Sequence, residues 1–65
     1  MTLNEFMNCV DGKNRIEILQ GDELRTVKKD TYLNKVSKST HITYGESKVT
    51  NITAVRWRLI QVTIE

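Results

Sequence analysis

A small α+β domain, ordered helix, hairpin, helix, hairpin, is the fold class this sequence predicts. Three observations carry that expectation. Leu3, Phe6, Met7 and Val10 recur at helical spacing near the start. Ile16 and Ile18, and later Ile60, Val62 and Ile64, alternate with polar residues as half-buried strands do. Turn-forming residues separate these runs, and helices segregated from hairpins imply about four mainly antiparallel strands with two short helices on one face. At 65 residues the chain suffices for one domain, residues 1–65, and no more.

Each element has a local cause. Thr2-Leu3-Asn4-Glu5 is a capping box, in which the threonine hydroxyl takes one free amide and Glu5 reaches back to another. Asp11-Gly12 is expected to stop the helix, glycine being able to adopt the left-handed conformation after a helix end. Arg15-Ile16-Glu17-Ile18 is the first strand and Gln20-Gly21-Asp22 the turn. Glu23 to Lys28 supplies the returning strand, with Leu24 and Val27 apolar; their spacing of three breaks strict alternation and implies either a bulge or a wrongly assigned register. Asp30 then caps a second helix over Thr31 to Lys38, which groups Tyr32, Leu33 and Val36, with Lys35 and Lys38 suiting its C-terminal dipole. Ser39-Thr40 and Gly45-Glu46-Ser47 look like loop, with His41–Tyr44 a short edge strand. Val49 to Val55 is β-rich, with Ile52 and Ala54 sharing a face. Leu59 to Ile64 is the most apolar strand and therefore central, and Arg56-Trp57-Arg58 falls at the hairpin turn between the two.

Composition excludes several function classes. Ten basic against eight acidic residues is too mild a balance to imply nucleic acid by itself. Cys9 is the only cysteine, so no intramolecular disulfide forms, and a lone thiol fits a reducing compartment. The opening residues carry Asn4, Glu5 and Asn8 among their apolar positions, unlike a signal peptide, and no run approaches the roughly 20 apolar residues of a membrane span. The expected location is the cytoplasm, with no membrane partner. A chain this short hides only roughly 60% of the surface its unfolded form exposes, which raises the prospect of a homo-oligomer.

No constellation for catalysis stands out. His41 is the sole histidine, and nothing in the sequence brings it to Cys9; the plain reading is a half-buried cysteine and a surface histidine. The carboxylates are scattered, and the calcium-loop, phosphate-loop and paired-cysteine patterns are absent. The expectation is a protein that is not an enzyme and that uses no cofactor and no metal.

Candidate contact residues do exist. Arg56-Trp57-Arg58 joins the two residue types that dominate binding hot spots, and two guanidiniums beside an indole also suit a phosphate with a stacked base. The structural alternative is that Trp57 covers one end of the sheet while the arginines solvate the turn. Lys28 and Lys29 belong to a basic stretch with Arg25, Lys35 and Lys38, which is a solvated face unless the fold sets it beside Arg56 and Arg58. Of the two tyrosines, Tyr32 is expected to pack under the second helix and Tyr44 to be the exposed contact.

Several stretches also resemble small accessory proteins encoded by phages and prophages of Firmicutes. The resemblance lies in Met-Thr-Leu-x-Glu-Phe at residues 1–6, Asp11 followed by Arg15-Ile16-Glu17-Ile18, Val49-x-x-Ile52-x-Ala54, and the closing Leu59-Ile60-Gln61-Val62-Thr63-Ile64-Glu65. Ser37 to Ser47 departs from that pattern by being longer and polar. The resemblance implies an intracellular accessory protein without enzymatic activity that binds, and modulates or inhibits, a host protein. A small oligomeric sponge for a nucleotide signal or nucleic acid, and a structural component of a larger phage assembly, are the other readings it allows.

Overall fold

The computed structural model describes residues 1–65 and shows an α+β domain. In chain order it contains α1 (Leu3–Asn8), β1 (Arg15–Gln20), β2 (Arg25–Tyr32), a 3-10 turn at Leu33–Lys35, α2 (Lys38–Tyr44), β3 (Val49–Arg56) and β4 (Leu59–Ile64). The capping box of α1 forms as its sequence requires: Glu5 N donates to Thr2 Oγ1 and Thr2 N donates to Glu5 Oε1. Hydrogen bonds donated by Thr2, that of its backbone amide first and that of its side chain second, hold the Glu5 carboxyl below its ordinary range. The remaining free amides at this helix start find carbonyls further along the chain, Leu3 N donating to Ser47 O and Asn4 N to Gly45 O.

The sheet order is β2-β1-β4-β3. Both hairpins are antiparallel, while β1 and β4 meet at the centre as a parallel pair, in register from Arg15–Leu59 to Gln20–Ile64. The most apolar strand is thus interior, as its composition demands. On one face Ile16, Ile18, Val62 and Ile64 pack under Leu3, Phe6 and Met7 of α1, and Leu33 and Val36 complete the core. β2 is bulged, but not through the Leu24–Val27 spacing, since Leu24 lies outside the strand: Ile18 pairs with Lys28 and Leu19 with Thr26, leaving Val27 as the extra residue.

Several local expectations are corrected. Asp30 does not cap a helix, because β2 continues through Asp30-Thr31-Tyr32; Thr31 and Tyr32 pair with Ile16 and Arg15, and Asp30 Oδ2 lies 3.4 Å from Arg15 Nη1. β-Branched and aromatic residues favour that choice. Leu33 and Val36 still reach the core, but from a 3-10 turn, and Tyr32 stays 54% exposed instead of packing under a helix. The second helix is Lys38–Tyr44, where loop and an edge strand are expected. Ser37 caps it by accepting from Thr40 N, and its far end is tied to α1 by His41 Nδ1 and Asn4 Oδ1 at 3.1 Å and by the Gly45 carbonyl. Those tertiary bonds offset the poor helix propensity of Thr40, Ile42 and Thr43. It buries no residue fully; Tyr44 packs against the core margin and is not an open contact. Finally, Leu24 sits in the turn with φ 54° and not in β2, and Cys9, capping the end of α1, is exposed.

Gly12 serves a purpose other than the expected one. Its φ is not positive; instead a side-chain carbon there would meet Asn34 Cβ at 3.1 Å, just where Asn34 N donates to Gly12 O. No helix is long and apolar enough to cross a membrane.

Candidate functional site: a basic aromatic groove

Register builds the site. Arg15 opens β1 and pairs with Tyr32 on one side and Leu59 on the other, so the three form a row across the sheet. Residues in register share a face, and Ile16 and Ile18 point to the core, so this row lies on the opposite face. Immediately before Leu59, the two-residue turn Trp57-Arg58 joins β3 to β4. Arg15 N donates to Arg58 O at 2.6 Å and fixes that turn against β1.

The result is a groove of about 200 Å³ lined by Lys13, Arg15, Tyr32, Trp57 and Arg58. Trp57 is 81% exposed, so it covers nothing. The Arg58 guanidinium lies 4.6 Å from the centre of its ring, a cation–π contact that orients both side chains. Arg58 has φ 59°, a left-handed conformation that costs a non-glycine residue roughly 1–2 kcal/mol. Asp30 pairs with Arg15 in the one ion pair of the structure, which leaves Lys13 and Arg58 without a carboxylate partner.

Of the residues singled out in the sequence, the fold brings Trp57 and Arg58 into this groove and leaves Arg56 beside it, in register with Leu59 on the edge strand. Lys28, Lys29 and Tyr44 lie elsewhere: Lys28 pairs with Ile18 along β2, Lys29 is exposed on the same strand, and Tyr44 is on α2. Lys13, Arg15 and Tyr32 are the members that sequence reasoning missed. The signal for Tyr32 was the run Thr26-Val27 to Thr31-Tyr32, whose β-formers continue a strand past Asp30. Arg15 and Lys13 carry no such signal, since only the parallel β1–β4 pairing brings them to the turn.

A second groove of about 310 Å³ lies at the other end of the same two strands, with Asp22, Leu24, Asn51, Thr63 and Glu65 among its lining. It is larger but has no aromatic wall and no basic side chain. His41 and Cys9 line neither groove, and no three His, Cys, Asp or Glu side chains gather closely enough to hold a metal ion. No family model matches the chain, and no curated protein or solved structure matches it significantly.

Proposed function

We propose that this chain is a non-enzymatic binding module that captures an acidic segment of a partner protein in the Trp57 groove. The observation that carries the reading is the pairing of an 81%-exposed tryptophan with two cations that have no carboxylate of their own. Tryptophan, tyrosine and arginine are the residue types on which binding energy concentrates. Lys13 and Arg58 offer charge to an incoming carboxylate while Trp57 and Tyr32 offer flat apolar area beside it. The lining holds no serine, cysteine, histidine or carboxylate to act as nucleophile or base. By the sequence resemblance, the partner is a host protein whose activity is modulated or inhibited.

A nucleotide or nucleic acid is the second reading, favoured by the same aromatic and guanidinium pairing. Size argues against a free nucleotide: small-molecule sites usually enclose roughly 300 Å³ or more. The groove holds about 200 Å³, the room of one side chain. The net charge of +2 is also modest for a phosphate binder.

The test is binding of an acidic peptide, poly-glutamate, against binding of a single-stranded oligonucleotide, both in solution and read by titration calorimetry. Trp57→Ala is expected to leave the melting curve unchanged and to weaken peptide binding by roughly 30-fold, as loss of a hot spot of about 2 kcal/mol implies. Preference for the oligonucleotide moves the assignment to the second reading, and binding of neither, or binding insensitive to Trp57→Ala, removes the groove as the site.

A further inference from the structure

The two edges of the sheet are built differently. β2 carries Arg25, Lys28, Lys29 and Asp30 along its length, and two adjacent lysines at mid-strand repel any copy that pairs with them. β3 has no charge from Val49 to Val55, and the whole chain has no proline to blunt an edge. Every β3 residue after Val49 is exposed, including Ile52 at 46% and Val55 at 45%. Irregularities at Val49–Asn51 and Ala54–Arg56 bracket the strand, but Asn51 to Ala54 run in unbroken register with β4. That leaves a short, uncharged stretch at the sheet edge with one side of its backbone unpaired.

We propose that β3 is a homodimer interface, in which the β3 edges of two copies of this chain pair antiparallel about Thr53 and extend the sheet from four strands to eight. A second copy is the occupant because the edge is complementary to itself. A two-fold axis through an antiparallel pair brings each segment against its own sequence, and this segment contains no charge to repel its copy. Pairing satisfies the free main-chain groups and covers Ile52 and Val55. It also enlarges the buried fraction of a domain whose size makes its own margin thin. The interface is independent of the Trp57 groove, which none of residues 51–54 line. In such a dimer the two grooves sit at opposite ends of the paired strands, so one partner with two acidic segments gains avidity.

Sedimentation equilibrium on the full chain, from micromolar to millimolar concentration, tests this. The expected species has twice the 7.5 kDa chain mass. Thr53→Lys places two like charges close to the two-fold axis, on an exposed position, and is expected to weaken dimerisation more than tenfold, whereas Thr26→Lys on β2 leaves it unchanged. A wild-type chain that stays at single-chain mass throughout, or a dimer that Thr53→Lys leaves intact, overturns the proposal. Hydrogen exchange on the wild type decides the matter even where the variant fails to fold. Exchange at Asn51–Ala54 that slows with rising concentration supports the interface, and exchange independent of concentration overturns it.

Discussion

The two hairpins make an instructive pair. β1–β2 and β3–β4 are each antiparallel, each interrupted by bulges, and each has a non-glycine residue in left-handed conformation at its turn, Leu24 in one and Arg58 in the other. Their inner strands are nearly interchangeable, since Ile18 and Val62 face one another in register and both are wholly buried. Their outer parts are not. The first hairpin guards its edge with lysines and closes on a turn of Gly21 to Leu24; the second leaves its edge bare and closes on an exposed Trp57. Buried apolar residues are therefore shared between the hairpins, while the exposed tryptophan and the uncharged edge belong to the second.

The largest effects should show how evenly the core is shared. Ile18→Ala and Ile64→Ala remove wholly buried side chains from the first and second hairpin respectively. Each is expected to cost about 2–5 kcal/mol, enough to unfold much of so small a domain. Urea denaturation measures both, and a large inequality would locate the core in one hairpin alone.

The turns separate strain from function. Leu24→Gly and Arg58→Gly both relieve a left-handed residue and should each stabilise by about 1 kcal/mol, read as a rise in melting temperature. Only Arg58→Gly should weaken acidic-peptide binding, because it removes a guanidinium from the groove. Equal binding by the two variants would mean that the strain at Arg58 has no connection with recognition.

The smallest effect lies at the joint between α1 and the second hairpin, where Val49 N donates to Met1 O and Thr2 bridges Lys48. Thr2→Ala removes an exposed cap and should cost about 0.5 kcal/mol, the lower end for such a loss. Acid acts on the same place. Because hydrogen bonds from Thr2 lower the Glu5 pKa in the folded chain, Glu5 contributes stability that is complete above its ordinary value of 4.5. That contribution disappears as pH falls through the lower folded value. Hydrogen exchange should accelerate below that range at Val49 before it does at Arg15, and Thr2→Ala should abolish the difference.

The candidate site was legible only in part. Trp57 and Arg58 stand out because a tryptophan beside arginines at a hairpin turn has few structural duties. Lys28, Lys29 and Tyr44 also stood out by residue type, yet strand register and helix docking carry them away from the groove.

Local pattern by itself determined α1 with its capping box, the strands β1 and β4, the place of the turn between β3 and β4 and the α+β class, because each rests on interactions between residues a few positions apart. Tertiary structure decided the rest. Residues 31–44 have weak and conflicting propensities: the β-formers before Tyr32 favour a strand that pairing with Arg15 completes, and the Ser37 cap starts a helix over Lys38–Tyr44 that Asn4 and the free amides of α1 hold at its far end. The groove has the same origin: Lys13, Arg15 and Tyr32 meet Trp57 and Arg58 through a parallel pairing of strands distant in sequence, a contact that no local signal encodes.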